Sequence, residues 1–205
     1  SDRSTYKLLG GSIGFYGSTL NTRQYATKGY LEKLIAQVFT GRERFEPGNP
    51  QEGYSPSPQE RQSWLQISYM KEAYHTMGPK FTLGWMAEAL YSSKNFSENY
   101  TATMMQAGEF APTPHSKLMY NEAFRANQYV AAGIKPIYVL NDMFQFRTEF
   151  YGFTPIFPIK KNALNKAYYG KAFSRFEYMG EVSVICHLPF GAISAYVNHY
   201  SSPRR

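Results

Sequence analysis

Hydrophobic and polar residues alternate with a period of two through residues 143–154, and this alternation predicts a β-strand. One face of the predicted strand is mostly aromatic and carries Phe144, Phe146 and Phe150. The opposite face carries charges of both signs, on Arg147 and Glu149. In a soluble sandwich the aromatic face would meet a protein core, whereas in an outer-membrane barrel it would meet lipid and the charged face would line the lumen.

Similar alternation along the chain predicts about nine antiparallel strands. They are Tyr6–Phe15, Tyr30–Phe45, Ser63–Tyr74, Lys80–Tyr91, Tyr100–Phe110, Gln128–Leu140, Met143–Thr154, Lys171–Leu188 and Ala192–Tyr200. Strands of about 9–12 residues are long for a soluble sheet and suit a tilted crossing of a bilayer. Tight turns at 78–79, 141–142 and 189–191 alternate with longer polar loops, among them the loop at 46–62 and a basic loop at 155–165, as in outer-membrane barrels.

The most regular of these segments is Lys80–Tyr91. Its apolar face begins with Phe81, ends with Tyr91 and is small or aliphatic for most of the length between them. Aromatic residues at both ends of an apolar strand face are typical of strands that cross a lipid layer. The predicted fold is therefore all-β, an antiparallel up-and-down transmembrane β-barrel segment. The alternative is a soluble β-barrel or sandwich that binds a small ligand.

Composition narrows the function classes. Hydrophobic residues make up 43% of the 205 residues, which argues against disorder. The net charge of +7 is spread along the chain without a basic stripe, so no nucleic-acid partner is expected. The single cysteine, Cys186, excludes an internal disulfide and a cysteine metal cluster, and the four histidines lack ligand-like spacing. We expect no cofactor and no metal.

Three features resemble catalytic patterns, and each has a simpler interpretation. Residues 10–14 match the G-x-S-x-G nucleophile elbow around Ser12, but the glycines lie inside an alternating strand and no helix is predicted to follow. Glu177 and Glu181 share one strand face and are expected to be charged lumen residues paired with Arg147 or Arg175 rather than an acid–base pair. His115 is expected in a solvated loop. We therefore predict that this chain is not an enzyme.

Several runs resemble a known family. Residues 18–30 are similar to a recurring hairpin of the bacterial surface antigen superfamily, the BamA- and TamA-like outer-membrane barrels. Residues 110–116, 121–133 and 184–198 resemble the barrel attached to Bacteroidetes-type patatin-like phospholipases. Phe124-Arg125-Ala126-Asn127 falls where that family has an inward-folded loop motif of Val/Ile-Arg-Gly-Phe/Tyr, and it keeps the arginine but has Ala126 for glycine and Asn127 for the aromatic residue.

The resemblance implies a sixteen-stranded barrel, of which residues 1–205 would be the C-terminal portion without the closing strand. It also implies that Phe124 and Arg125 belong to a loop in the lumen. Possible wall partners of that loop are Arg147, Glu149, Glu177 and Glu181, and Glu149 is the most natural partner for Arg125. The implied location is the bacterial outer membrane, in contact with lipid or lipopolysaccharide. The implied function is to anchor or translocate an attached domain, such as a patatin-like phospholipase.

Overall fold

The computed structural model describes residues 3–46, 48 and 61–202, which form twelve strands and three short helices. The strands are β1 (Arg3–Ser18), β2 (Gly29–Glu46), β3 (Arg61–Thr76), β4 (Phe81–Ser92), β5 (Gly108–Glu109), β6 (Arg125–Ala126), β7 (Gln128–Val139), β8 (Phe144–Pro155), β9 (Ile159–Lys161), β10 (Ala167–Tyr169), β11 (Glu177–Leu188) and β12 (Gly191–Tyr200). The helices are α1 (Tyr100–Gln106) and two 3₁₀ turns, Ser116–Leu118 and Glu122–Phe124.

The protein is all-β, and eight long strands form one antiparallel sheet in the order β1-β2-β3-β4-β7-β8-β11-β12. Consecutive long strands are neighbours, so the expected up-and-down order is confirmed. Within the described residues β1 and β12 are the two edges, and no pairing between them closes the sheet. The sheet therefore has eight long strands among the described residues instead of the predicted nine.

The predicted strand at Tyr100–Phe110 is wrong, because residues 100–106 form α1. Asn99 caps this helix by accepting a hydrogen bond from the Ala102 N–H at 2.6 Å. The β-branched Thr101 and Thr103 favoured a strand in the sequence, but the Thr103 hydroxyl bonds back to the Asn99 carbonyl at 3.0 Å and fits a helix. No helix in residues 3–46, 48 and 61–202 is long and apolar enough to cross a membrane.

Two further boundaries differ from the prediction. The seventh long strand, β11, begins at Glu177 and not at residue 171. The segment expected as a basic loop at 155–165 contains β9, which pairs with β10 in a small hairpin. The predicted loop at 46–62 lies mostly outside the described residues.

Burial along β8 is the reverse of that in a soluble strand. The inner face, defined here as the face of Arg147 and Glu149, is buried, and these two residues are 2% and 6% exposed. The outer face, defined by Phe144, Phe146 and Phe150, is open, and Phe150 is 52% exposed. Residues paired across antiparallel strands share a face, so the register extends this assignment over all eight strands.

Apolar side chains form a belt on the outer face of the sheet, and the belt runs obliquely across the strands. Cross-strand pairing places Ile13 of β1 in the row of Tyr91 of β4. It places Ala195 of β12 in the row of Phe81, which lies ten residues before Tyr91 at the other end of β4. Ten residues correspond to about 33 Å along a strand, and seven strand spacings to about 34 Å. The belt therefore crosses the strands at about 45°.

The sheet is curled, with its inner face concave. Tyr25, in the loop between β1 and β2, donates from its hydroxyl to Ser194 Oγ of β12 at 3.0 Å. In a flat sheet β2 and β12, six strands apart, would be separated by about 29 Å. The chain from Tyr25 to Gly29 reaches at most about 14 Å, so the contact requires the sheet to bend around the loop.

Residues 107–126 cover the concave face and complete the core. Phe110 stacks on Phe153 of β8 with ring centroids 5.9 Å apart, and Phe124 packs edge-on against Tyr200 of β12 at 5.9 Å. Phe110, Phe124 and Phe153 are all 2% exposed or less. The core thus lies between the inner face and the segment that folds onto it.

Connection lengths differ between the two ends of the sheet. The turns after β3, β7 and β11 are short and lie at one end, together with the loop at 19–28 that folds inward. Asn141 closes the turn before β8, where its side chain accepts from the N–H groups of Met143 and Phe144 at 2.9 and 2.8 Å. The connections at 93–127 and 156–176 both lie at the other end, here called the long-loop end. The predicted alternation of tight turns and longer loops is confirmed.

Candidate functional site

Charged side chains on the inner face form a buried network centred on Arg147. The Arg147 guanidinium contacts the Glu149 carboxylate at 3.0 Å and donates to the Ala26 carbonyl oxygen at 3.0 Å. The Cζ atom of Arg147 lies 5.8 Å from the ring centroids of both Tyr25 and Tyr74. Arg147 therefore ties β8 to the loop at 19–28, which crosses the concave face. The sequence placed Arg147 and Glu149 on the correct face, and the structure pairs them with each other.

A second ion pair extends this network. Lys135 of β7, 4% exposed, contacts the Glu72 carboxylate of β3 at 3.2 Å. The hydroxyl of Tyr74 donates to Glu72, and the hydroxyl of Tyr151 donates to Glu149. Because buried charges are stable only when paired and hydrogen-bonded, this pairing is what permits a charged interior.

Arg125 does not reach the predicted wall residues. Its guanidinium contacts the Glu109 carboxylate at 2.6 Å and donates to the carbonyls of Met105 and Ala107 at 3.1 and 3.3 Å. The expected partner Glu149 is bound to Arg147 instead. Arg125 thus holds the covering segment to itself: it joins the end of α1 to the β5–β6 pair. Phe124, beside it, packs into the core as a loop residue on the inner face should.

The two other predicted wall residues are also engaged away from Arg125. Glu177 contacts Arg175 at 2.7 Å and accepts from the hydroxyl of Ser202 at 2.7 Å, so the expected pairing with Arg175 is confirmed. Glu181, 2% exposed, contacts His115 Nδ1 at 3.1 Å. Of the four candidates, none bonds to Arg125 through the contacts that the structure describes.

The sequence predicts His115 in solvent, whereas the structure covers most of its side chain, 11% exposed, at the junction of three segments. Its ring stacks on Tyr196 of β12 with centroids 3.4 Å apart, and its Nε2 lies 3.4 Å from Ser194 Oγ. Reciprocal hydrogen bonds between Thr113 and Ser116, at 3.0 and 3.1 Å, close the turn that presents His115. The prolines on either side of Thr113, which stiffen this turn, were the only signal in the sequence.

Ser12 lies within β1 opposite Gln37, and the strand continues to Ser18 without a helix after it. The interpretation of residues 10–14 as strand and not as a nucleophile elbow is confirmed. On the inner side of the sheet, a cavity of about 1220 Å³ remains between the strands and the covering segment. Its wall includes charges of both signs, among them Lys33, Lys117 and Glu88.

At the long-loop end, Lys94 joins β1 and β3 beyond the end of β4. Its ammonium group lies 5.6 Å from the Tyr6 ring centroid and 4.9 Å from the Trp64 ring centroid. Burial lowers the pKa of Lys94 to about 8, and the nearby Glu43 carboxylate opposes this shift. The hydroxyl of Tyr6 donates to Ser97 at 3.0 Å, which fastens the same end of the sheet.

Comparisons of this chain with protein-family models, with curated proteins and with solved structures find no match.

Proposed function

We propose that this chain is a membrane-embedded section of a β-barrel in the bacterial outer membrane, of the kind its sequence resembles, and that it anchors or translocates an attached domain. The observation that carries the proposal is the reversed polarity of the sheet. Charged residues such as Arg147 are buried on the inner face, and aromatic residues such as Phe150 are open on the outer face. Such polarity is favourable only where the outer surroundings are apolar.

The oblique belt gives a second, independent argument. A barrel strand tilts by about 35–45° from the membrane normal, so a band of lipid that is level in the membrane crosses the strands at the complementary angle of about 45–55°. The belt crosses at about 45°, as derived from the register. Along β4, Phe81 to Tyr91 spans about 33 Å, which a 40° tilt reduces to about 25 Å, close to the height of the apolar band of such barrels.

The alternative is a soluble domain that binds a small ligand on the inner face. It would leave the outer belt in water, including Phe146 at 45% and Ile193 at 64% exposure. Monomeric soluble proteins rarely expose a contiguous apolar surface of this extent. The membrane proposal accounts for the belt, and the alternative does not.

In this proposal the chain acts by holding a position in the membrane. The belt keeps the sheet in lipid, where transfer of each apolar side chain from water is favourable. The inner network fixes the loop at 19–28 and the covering segment, so the interior stays charged and partly occupied by these segments. An attached domain would be retained at the membrane by the first property, and its passage would be controlled by the second.

Tryptophan fluorescence tests the proposal, because the chain has two tryptophans on opposite faces. Trp85 lies in the outer row with Ile134, and Trp64 stacks on Phe39 on the inner side with centroids 5.1 Å apart. Trp64→Phe and Trp85→Phe each leave one emitter. In vesicles of brominated phosphatidylcholine we expect strong quenching of Trp85 and much weaker quenching of Trp64. Equal emission from Trp85 in brominated and ordinary lipid would contradict the proposal.

A further inference from the structure

Basic residues cluster on the outer face at the long-loop end, immediately beyond the apolar belt. The cluster comprises Arg3, Lys7, Arg42, Arg44 and Arg61, all of them exposed. Lys7 pairs across the strands with Arg42, and Arg42 pairs with Arg61. Lys7, Arg42 and Arg61 thus lie side by side over three neighbouring strands, and we call these three residues the basic row.

Such a row is unfavourable by itself. Residues directly opposite on antiparallel strands have Cβ atoms about 5 Å apart, and like charges at that spacing repel. Within residues 3–46, 48 and 61–202, the one acidic group beside the cluster on this face is Glu46, and it contacts Arg44 at 3.0 Å, outside the row. Among the described residues the three cations of the row form no ion pair. A polyvalent anion would relieve the repulsion that the strands by themselves leave in place.

The other end of the same three strands is balanced. There Glu32 and Lys71 face each other in the register and contact at 3.6 Å. The outer face of β1–β3 is therefore neutral beyond one end of its apolar belt and strongly positive beyond the other. This difference in charge indicates that the two ends of the strands meet different surroundings. Either a ligand binds at one end only, or the two membrane leaflets differ in composition.

The depth of the basic row matches that of lipid phosphate. The last belt row at this end contains Leu9, and the basic row with Lys7 lies two residues nearer the long-loop end. Two residues correspond to about 7 Å along the strand, and the headgroup layer outside the hydrocarbon core is about 5–8 Å thick. The hydroxyls of Thr40 and Ser63 lie in the same row as Leu9, next to the basic row, and Arg61 Nε donates to Thr40 Oγ1 at 3.1 Å.

Two shallow grooves accompany the row. One, of about 290 Å³, is lined by Arg3, Thr5, Lys7, Arg42, Arg44 and Glu46. The other, of about 600 Å³, combines Lys7, Arg42 and Arg61 with the apolar Leu9 of the belt. A surface that offers cations next to aliphatic side chains fits a molecule with an anionic head and an acyl tail.

We propose that the basic row binds the phosphate groups of an anionic lipid, with the polyphosphorylated headgroup of lipopolysaccharide as the chemistry it fits best. Arginine recognises phosphate in a bidentate manner, and two of the three cations in the row are arginines. The acyl chains would continue along the belt from Leu9 towards Ile13. This inference rests on the proposed membrane location and adds a specific lipid partner to it.

The test compares three proteins in zwitterionic detergent micelles: the wild type, the triple variant Lys7→Gln/Arg42→Gln/Arg61→Gln, and Lys71→Gln as the control from the balanced end. Fluorescently labelled lipid A is titrated into each. We expect the triple variant to bind at least about tenfold more weakly than the wild type, and Lys71→Gln to bind like the wild type. Equal affinity in wild type and triple variant would overturn the inference.

Two further measurements separate the remaining explanations. Millimolar inorganic phosphate should compete poorly, and full displacement of lipid A by it would overturn the lipid assignment in favour of free phosphate. Without lipid the triple variant should resist denaturant at least as well as the wild type, because a repulsion has been removed; a clear loss of stability would assign the row a structural role and overturn the inference. Quenching of Trp85 in vesicles of brominated phosphatidylcholine reports on the membrane location separately, so failure of lipid A binding alone leaves the proposed function standing.

Discussion

Arg147 Nη1 donates a hydrogen bond to the carbonyl oxygen of Ala26 at 3.0 Å, although 121 residues separate them in the sequence. The contact crosses the concave face from β8 to the loop between β1 and β2. The same guanidinium is paired with Glu149 and is 2% exposed. One side chain therefore neutralises a buried carboxylate and holds a loop that bends back over the sheet.

Arg147→Met should reduce the free energy of unfolding by about 3–5 kcal/mol, because it leaves Glu149 buried without its cation. Denaturant unfolding in detergent, followed by tryptophan fluorescence, measures the loss. The matched control is Arg44→Met, since Arg44 Nε contacts Glu46 Oε1 at the same 3.0 Å two residues along a strand, but both side chains are exposed. That variant should change stability by less than about 0.5 kcal/mol in lipid without net charge. Similar losses in the two variants would contradict the expectation that the buried ion pair contributes more to stability than the exposed one.

Arg125→Met should loosen the covering segment and leave the sheet intact. The change removes the cation from Glu109 and frees the carbonyls of Met105 and Ala107 at the end of α1. We expect faster hydrogen exchange at the Phe110 amide, which donates to the Phe124 carbonyl oxygen at 2.9 Å, by about one to two orders of magnitude. Amides within β7 and β8 should exchange as before. Lys117→Met, an exposed cation of the same segment, is the control; a parallel rise in β8 would argue that Arg125 supports the whole fold.

Phe150→Arg should reduce the free energy of unfolding in a lipid bilayer by about 2–4 kcal/mol. The reason is that Phe150 lies on the outer face near the middle of the belt. Phe150 faces Ile134, which in turn faces Trp85. The matched change Phe190→Arg lies in the turn between β11 and β12, beyond the belt, and should cost about 0–1 kcal/mol. Unfolding in vesicles, compared between the two variants, measures the difference. Equal costs would contradict the membrane depth assigned to the belt.

We expect the free energy of unfolding to depend on pH through the titration of Lys94. Its pKa is about 8 in the folded protein because of burial, and it returns to its ordinary value near 10.4 on unfolding. Between these values the unfolded chain binds the additional proton, so the free energy of unfolding rises with pH from about 8 upward. Above about 10 the tyrosines of the unfolded chain begin to ionise, which limits the useful window to pH 8–10.

Lys94→Met should remove this rise, whereas Lys80→Met, an exposed lysine in the turn before β4, should retain it. Denaturant midpoints measured at intervals between pH 7 and 10 give the two slopes. A wild-type stability that falls across this window, or a rise that survives in Lys94→Met, would be inconsistent with burial of the ammonium group.

The strands and their faces could be predicted from the sequence, because side-chain alternation is a local consequence of extended backbone. Residues 143–154 were placed as β8 within one residue at each end, and Phe150 and Arg147 were assigned to opposite faces. The same local logic failed at α1, where Thr101 and Thr103 favoured a strand while Asn99 capped a helix. Short helices depend on caps and packing more than on propensity, so residue preference alone misleads there.

Only the tertiary structure decided which residues meet across the concave face. Whether Arg125 pairs with Glu109 or Glu149 depends on how residues 107–126 fold onto the sheet, and whether His115 reaches Glu181 depends on the bend of the sheet around the loop at 19–28. Both are set by contacts between residues far apart in sequence, which no local period encodes. The alternation along the chain determined that the sheet has one charged and one apolar face; the curl of the sheet and the segment folded onto it determined that the charged face is the buried one.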